Sequence, residues 1–236
     1  MAVTRMCPSA VIPESGALLR LLQLASPSLP VGAYSYSEGL EYAVENRAVV
    51  DVASLRAWLE DALEYGGARV EAAVLVRVYD AWQLGNADAV RRWNVWLTAA
   101  RESEELRRQN HEMGRALLKL LAELHPSPAG VASLLAQPCN FVVAFAIAAA
   151  HWRIARDAAV IGYLQTWTTN MIGAGVKLIP LGQTAGQRLL WDLQSTIEET
   201  ARAAATIKDD NLAVSNWGQA LASMRHETQY SRLFRS

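Results

Sequence analysis

The chain has 236 residues, which is long enough for one large domain, or two small ones, with a buried core. Its 22 lysines and arginines balance its 23 aspartates and glutamates to a net charge of −1, so no overall field attracts nucleic acid or an anionic membrane. The two cysteines, Cys7 and Cys139, lie far apart, make no disulfide framework and fit a reducing, cytoplasmic location.

The first elements are expected to be a tail and a short helix. Residues 1–15 contain two prolines and no apolar run of signal-peptide length, so we expect a flexible N-terminal tail. A helix is predicted over Gly16–Ala25, since leucines recur there at helical spacing. We expect its buried face to consist of Leu18, Leu21, Leu22 and Ala25.

The next segment is a loop of unusual composition, Ser26–Gly39, which we call the tyrosine loop. Its sequence is SPSLPVGAYSYSEG, and its prolines and Gly32 exclude a regular helix. It carries Tyr34, Tyr36 and Glu38, and aromatic side chains are enriched in contact surfaces. We therefore predict a partner-binding loop, with an ordinary connecting loop as the alternative.

The middle of the chain is predicted to be a series of amphipathic helices. Apolar residues recur at helical spacing from Val52 onward, and Asp51 and Asn86 stand where N-caps belong. The segment Arg101–Arg115 differs, because it is almost entirely polar and pairs opposite charges four residues apart. Two interpretations stay open for it: a solvated helix face, or a contact surface for a charged partner.

The most apolar stretch is Phe141–Ala150, FVVAFAIAAA, in which no side chain is polar. A helix that is apolar on every side must be covered on every side, so we place it at the centre of a bundle. It is shorter than the roughly 20 residues that cross a bilayer. Asn140 is expected to cap its start.

The remainder of the chain continues the helical pattern. Lys177 stands alone among apolar residues just before Pro180 and Gly182, which interrupt a helix. Only short alternating runs occur, so no strand is predicted. The fold class we predict is all-α: a single-domain bundle of about eight to ten helices around a central apolar helix.

Motifs that would carry chemistry are incomplete. Residues 173–177, GAGVK, lack the spacing, the following Ser or Thr and the preceding strand of a phosphate-binding loop. The four histidines are scattered, without the spacing that places two metal ligands on one helix face. We therefore predict no catalytic residue, no cofactor and no metal site.

Four separated segments resemble the F-type urease accessory proteins in order and spacing. They are SPSLPVGAYSYSEGLE (26–41), RESEELRRQNHEMGRALL (101–118), VKLIPLGQTAGQRLL (176–190) and ASMRHETQYSRLFRS (222–236). The resemblance extends from about Leu18 to the end of the chain. One departure is Val214–Gln219, where that family often has a proline and a less polar stretch.

The resemblance implies a non-catalytic scaffold for inserting nickel into urease. It implies a homodimer that binds the D-type (also called H-type) accessory protein and recruits the GTP-hydrolysing G-type accessory protein. The assembly would dock on apo-urease, with neither nucleic acid nor membrane as a partner. Whether such a scaffold activates the GTPase or controls its fidelity stays open.

Three regions of the chain follow from this resemblance. They are a flexible tail (1–15), a helical domain (16–221) and a partner-binding C-terminal tail (222–236). The tail is expected to order on the D-type protein; a terminal segment folded on its own domain is the alternative. The predicted partner-binding residues are Tyr34, Tyr36, Ser37, Glu38, Lys177, Arg225, His226, Glu227, Tyr230, Arg232, Leu233, Phe234 and Arg235.

A second hypothesis belongs to a different functional class. A helical protein of this size could be a small-molecule enzyme with a pocket beside the central helix. Trp152, Tyr163 and Trp167 would line such a pocket. Capture of the D- and G-type accessory proteins would distinguish the two hypotheses.

Overall fold

The computed structural model describes residues 15–124 and 137–236, and in those ranges the fold is all-α without a strand. The predicted N-terminal tail, apart from residue 15, lies outside the described residues, and so does His125, one of the four scattered histidines. The helices are α1 (Ser15–Leu24), α2 (Leu40–Glu45), α3 (Val52–Glu64), α4 (Gly67–Gln83), α5 (Ala87–Ala100), α6 (Glu104–Leu124), α7 (Phe141–His151), α8 (Arg156–Leu178), α9 (Gln183–Asp192), α10 (Gln194–Thr206) and α11 (Trp217–His226). Two 3₁₀ turns, Ala33–Ser35 and Asp209–Asn211, complete the regular structure of these ranges.

The predicted fold class is confirmed. Helices α9 and α10 are separated only by Leu193, which is fully buried. If these two are counted as one interrupted helix, the described residues form ten helices, within the predicted range.

The central position of Phe141–Ala150 is also confirmed. These ten residues form all but the last residue of α7, and every one of them is buried. Helix α7 packs chiefly against α4 and α6, with further contacts to α8 and α5. An apolar surface around the whole circumference is therefore covered by helices from several directions, as the hydrophobic effect requires.

The start of α7 differs from the prediction in one detail. Asn140 occupies the N-cap position, but its side chain makes no capping hydrogen bond. Its Nδ2 instead donates to the backbone oxygen of Asn94, 2.9 Å away, and to Thr98 Oγ1, 2.8 Å away. The amide thus ties the central helix to α5, because a fully buried amide needs hydrogen-bond partners wherever they are available.

Two other predicted N-caps are confirmed. The Asp51 side chain accepts from the backbone N–H of Ser54, and the Ser54 hydroxyl in turn accepts from the Asp51 N–H, which makes a full capping box. The Ser54 hydroxyl also donates to Asp51 Oδ1 at 2.6 Å, and this hydrogen bond, followed by the one from the Ser54 N–H, lowers the pKa of the Asp51 carboxyl. Asn86 accepts from the N–H of Ala89 at the start of α5. Local sequence therefore sets where α3 and α5 begin.

The predicted buried face of α1 is wrong in part. Leu24, which was left out of that face, is completely buried, whereas Leu18 and Leu22 are 40% and 60% exposed. Leu21 lies against Gly162 on α8. Because α8 is the main packing partner of α1, only one narrow side of this edge helix is covered.

Within the described ranges, no helix combines the length and apolar character needed to cross a membrane.

Candidate contact surface

Residues 227–236, which we call the C-terminal segment, fold back over the helical domain. The backbone N–H groups of Leu233 and Phe234 donate to the two oxygens of Glu41 on α2, at 2.6 and 2.9 Å. At the end of the segment, the backbone N–H of Ser37 donates to the Ser236 carbonyl oxygen at 2.6 Å. In the chain by itself the segment therefore lies on its own domain, and its binding to a partner stays a prediction.

The segment covers a buried group of charges. His226, completely buried at the end of α11, lies between Glu105 on α6 and Glu41 on α2. Its Nδ1 is 2.7 Å from Glu105 Oε2, and its Nε2 is 3.2 Å from Glu41 Oε2. Arg232 then donates to the other oxygen of Glu105 at 2.6 Å. Opposite charges and N–H donors therefore compensate the cost of burying these two carboxylates.

Glu227 has a structural role that a sequence pattern does not reveal. Its Oε1 accepts from the backbone N–H groups of Glu104 and Glu105, at 2.6 and 3.1 Å. Those N–H groups begin α6, where the helix dipole favours a negative charge. A residue from the C-terminal segment therefore caps a helix that begins more than a hundred positions earlier in the chain.

The two tyrosines of the tyrosine loop have opposite environments. Tyr34 is 72% exposed, whereas Tyr36 is buried and its hydroxyl donates to Glu112 on α6 at 2.8 Å. Burial, together with this hydrogen bond, raises the pKa of Tyr36 to about 12. The guanidinium of Arg235 lies 5.8 Å from the Tyr36 ring centroid and pairs with Glu112 at 2.9 Å. Tyr36 is therefore an anchor between the loop, α6 and the C-terminal segment.

The turn that follows Tyr36 is tightly constrained. Glu38 has a positive φ of 53°, and its carboxylate accepts from Gln109 Nε2 at 2.7 Å and Trp167 Nε1 at 3.0 Å. Gly39 also has a positive φ, and a Cβ there would lie 2.6 Å from the backbone nitrogen of Ser223. A backbone strain of this kind persists only where its surroundings hold it. Here α6, α8 and α11 hold it.

Lys177 links the tyrosine loop to the C-terminal segment. It lies in the last turn of α8 and is exposed to solvent. Its Nζ is 6.0 Å from the ring centroid of Tyr34 and 5.4 Å from that of Phe234, distances at which a cation is attracted to an aromatic face. Three of the four segments that carried the family resemblance therefore meet at this lysine.

The thirteen predicted residues separate into two structural groups, and neither arrangement by itself tests partner binding. The side chains of the first group are fully or partly exposed to solvent. This group consists of Tyr34, Glu38, Lys177, Arg225, Glu227, Tyr230, Arg232, Leu233 and Arg235. The second group is buried and consists of Tyr36, Ser37, His226 and Phe234. We call the exposed members around Tyr34, Lys177 and the C-terminal segment the contact surface.

Sequence reasoning missed the acidic and amide side chains that hold this surface in place. Glu105, Gln109 and Glu112 lie on one side of α6 at a spacing of four and three residues, and each contacts the tyrosine loop or the C-terminal segment. Glu41 on α2 is a fourth side chain that holds the C-terminal segment, since it accepts from the backbone N–H of Leu233. A polar stripe at helical spacing was the available signal, since such a stripe lies along a single face of a helix. The polar segment is therefore neither fully solvated nor free, because one side of it is covered by the chain itself.

The cavity beside the central helix is small. Tyr163 and Trp167 do line a cavity there, together with Glu38 and Glu71, but its volume is only about 30 Å³. Small-molecule sites are usually several hundred Å³ in volume, on the order of 300–1,000 Å³. Tyr163 donates to Glu71 at 2.7 Å, and Glu71 also pairs with the buried Arg101. These polar groups are thus already paired inside the fold.

A larger, apolar groove lies at another place on the described surface. It has a volume of about 400 Å³ and is formed by the end of α5, residues 212–216 and α11. Trp217, Leu221 and Met224 follow one another along α11 at helical spacing, and they are 77%, 58% and 45% exposed. The groove is thus suited to apolar contact with another surface.

Among the described residues, no group of three His, Cys, Asp or Glu side chains is arranged to hold a metal ion.

These features define a class: an all-helical protein whose distinctive residues form a braced external surface instead of a pocket. The chain belongs to the UreF family, whose profile matches residues 49–194. It is 53% identical to the urease accessory protein UreF of Trichormus variabilis over 218 residues, which cover 92% of this chain and 95% of that relative. The corresponding protein of Thermosynechococcus vestitus is 50% identical over 220 residues, covering 93% and 98%. That of Azoarcus sp. is 47% identical over 223 residues, covering 93% and 95%.

Proposed function

We propose that this protein acts in urease maturation as a non-catalytic scaffold that binds the D/H-type accessory protein and the G-type GTPase during nickel insertion. Family membership supports the urease role, since the relatives are named urease accessory proteins. The division of labour between partners is inferred from the resemblance of the four sequence segments. The small cavity and its internally paired polar groups favour a scaffold over the enzyme alternative.

The observation that carries this proposal is the meeting of distant segments at one external surface. Lys177 lies between the rings of Tyr34 and Phe234, and the Arg235 N–H donates to the Ser35 oxygen at 2.8 Å. Aromatic and arginine side chains dominate the binding energy of protein interfaces. A surface that is rigidly supported loses little conformational entropy when a partner binds.

We assign Tyr34 and Lys177 to the surface for the G-type protein or urease. Both side chains are exposed. Lys177 lies near the buried ring of Phe234, and Tyr34 belongs to the packed tyrosine loop. Neither residue needs to transfer a proton in this role. Tyr36 supports this surface indirectly, because its side chain is buried against α6.

We assign Tyr230 and Leu233 to the D-type protein, together with the exposed face of α11. Tyr230 is fully exposed, Leu233 is 67% exposed, and their segment continues directly from the helix that carries Trp217 and Leu221. Together they offer a path of apolar contact along α11 and the C-terminal segment. Burying such side chains contributes about 25 cal/mol per Å² of apolar area.

Capture experiments with purified D- and G-type proteins test these assignments separately. Tyr230→Ala with Leu233→Ala should weaken D-type capture by about tenfold or more, and Tyr34→Ala with Lys177→Ala should do the same for capture of the G-type protein or of apo-urease. Leu84→Ala is the matched control, because Leu84 is 83% exposed but lies outside the contact surface. If all variants capture both proteins as well as the control does, the assignment of the surface is wrong.

We also expect a homodimer acting in the cytoplasm with apo-urease as the final partner. The dimer follows from the family resemblance, and two-fold dimers are the commonest soluble oligomers. Light scattering of the chain alone and with the D-type protein measures this directly. A monomer under both conditions would contradict it.

A further inference from the structure

We propose that His226 is a doubly protonated imidazolium held between Glu41 and Glu105, and that its charge positions the C-terminal segment through Glu41. The consequence for partner capture rests on the proposed function. The protonation state of the ring does not depend on a partner and can be measured on the chain by itself.

The hydrogen-bonding capacity of the ring depends on how many protons it carries. His226 is completely buried, with Nδ1 2.7 Å from Glu105 Oε2 and Nε2 3.2 Å from Glu41 Oε2. An ionised carboxylate only accepts hydrogen bonds, whereas a neutral imidazole has one donor nitrogen and one acceptor nitrogen. A neutral ring would therefore direct a lone pair at one of the two carboxylates. Only the imidazolium donates to both.

The other hydrogen-bond partners of Glu41 and Glu105 are donors as well. Glu41 accepts from the backbone N–H groups of Leu233 and Phe234, and Glu105 accepts from Arg232 Nη1. A protonated carboxyl would have to point its own hydrogen at one of these donors or at the ring. Ionised carboxylates satisfy the whole arrangement instead, and hydrogen bonds to a charged group are the strong ones.

The charged groups around the ring balance one another when the ring is also charged. Helix α2 contributes Glu41, helix α6 contributes Glu105, and the C-terminal segment contributes Arg232. Glu227 follows His226 in the chain, but its carboxylate caps the start of α6. Two negative carboxylates are then balanced by Arg232 and a charged ring. A neutral ring would leave one buried negative charge in excess, which is costly in a poorly solvated site.

The C-terminal segment depends on the same carboxylate oxygen as the ring. Glu41 Oε2 faces His226 Nε2 and accepts the N–H of Phe234 at 2.9 Å, while Oε1 accepts the N–H of Leu233 at 2.6 Å. When the His226 ring loses a proton, its attraction to the carboxylate facing that nitrogen becomes a repulsion, and the carboxylate is displaced. Because Glu41 holds two consecutive N–H groups of the segment, we infer that the segment is docked when the ring is charged and released when it is neutral.

The first test observes the ring in the full chain without any substitution. Nitrogen-15 NMR of labelled histidine near neutral pH should show both ring nitrogens of His226 carrying hydrogen. His111 is the internal reference for a neutral ring, since its burial and the nearby Arg107 lower its pKa. An unprotonated nitrogen at His226 would overturn the proposal. As the pH is raised, the amide signals of Leu233 and Phe234 should move in step with the ring; amide signals that stay constant would also overturn it.

The second test removes the carboxylate anchor. Glu41→Gln keeps the shape of the side chain but replaces one acceptor oxygen by a donor amide. Hydrogen exchange at the Leu233 and Phe234 amides should then become about tenfold faster or more, since a buried hydrogen bond to a charged group is lost. Glu104→Gln is the matched control, because the Glu104 carboxylate is exposed and pairs with Arg108 on the same helix. Exchange rates equal to those of the control would overturn the positioning role of Glu41.

These measurements separate the two proposals. Both use the chain without a partner, so failure to capture the D-type protein contradicts the proposed function and leaves the ring charge untouched. Conversely, normal capture with a neutral His226 ring contradicts only the positioning mechanism. Amide exchange within α7 shows whether Glu41→Gln has kept its fold, and the ring measurement needs no variant at all.

Discussion

At the scale of single residues, Tyr34 and Tyr36 show how two similar side chains, two positions apart, acquire different roles. Tyr34 projects into solvent beside Lys177, and Tyr36 is buried with its hydroxyl on Glu112. The sequence pattern predicts both as equal members of a binding loop. The structure instead makes one a candidate contact and the other its support.

Substitution of the two tyrosines should therefore have unequal effects on stability. Tyr34→Ala should change the free energy of unfolding by no more than about 0.5 kcal/mol, as is usual for surface sites. Tyr36→Ala should lower it by about 3 kcal/mol, because a buried ring is replaced by a cavity. Urea denaturation measures both. Tyr36→Phe isolates the hydroxyl and should cost about 1 kcal/mol. Equal stability of Tyr34→Ala and Tyr36→Ala would contradict the burial of Tyr36.

His111 predicts a pH dependence of stability. Burial, followed by the charge of Arg107, lowers its pKa, and Thr98 Oγ1 lies 3.1 Å from its Nε2. In the window between the lowered folded pKa and the unfolded value of about 6.5, the unfolded chain binds the proton more strongly. The free energy of unfolding should therefore fall as the pH falls below about 6.5 through this window.

The measurement compares His111→Asn with the unmodified chain. Urea denaturation above and below the window should show a smaller acid-induced loss of stability in the variant, because the titrating ring is gone. An identical pH profile for both proteins would show that His111 does not contribute.

At the scale of secondary-structure elements, the crossing of α6 and α7 requires a glycine. A Cβ at Gly114 would lie 2.0 Å from the backbone oxygen of Cys139, just before α7 begins. The central helix and the polar helix therefore approach each other through backbone and not through side chains. Burial raises the pKa of the Cys139 thiol to about 12, so this neighbour is a packed, un-ionised group.

Gly114→Ala should destabilise the protein although alanine favours helices. We expect a loss of about 2–3 kcal/mol, since the neighbouring backbone has to move. Gly173→Ala is the control on α8, where no atom lies within 4 Å of the added Cβ. That substitution should stabilise by about 0.5–1 kcal/mol through helix propensity. Thermal denaturation of both variants checks this, and a gain at both sites would contradict the close crossing.

At the scale of the whole molecule, the C-terminal segment acts as a brace across several helices. It contacts α2 through Glu41, α6 through Glu105 and Glu112, and α8 through Lys177. Phe234, near its end, is buried. The segment thus closes the domain and at the same time carries candidate partner residues.

Deletion of residues 228–236 should lower stability without removing helices. We expect a loss of about 3 kcal/mol, mainly from exposing the site that Phe234 fills. Helicity should hardly change, because the deleted residues contain no helix. Circular dichroism and urea denaturation measure the two quantities. An unchanged free energy of unfolding would mean that the segment is undocked in solution and orders only on its partner.

Much of this protein could be predicted from its sequence because the relevant signals are local. The apolar run Phe141–Ala150 determined a central helix, and Asp51 and Asn86 determined where two others begin. The four motifs identified the family. Hydrophobic periodicity and capping act within a few residues, so they can be read without knowing the fold.

The tertiary structure alone decided how the polar residues are used. Glu41 meets the N–H of Phe234 across 193 positions, and His226 meets Glu41 across 185. No local pattern encodes such a pair, because a buried carboxylate is stable only once the packing of α2, α6 and α11 has brought its donors together. The same packing leaves Leu18 exposed and buries Tyr36, although leucine is the more hydrophobic of the two residues. Which predicted residues are free to contact a partner is therefore a property of the assembled helices and not of their individual sequences.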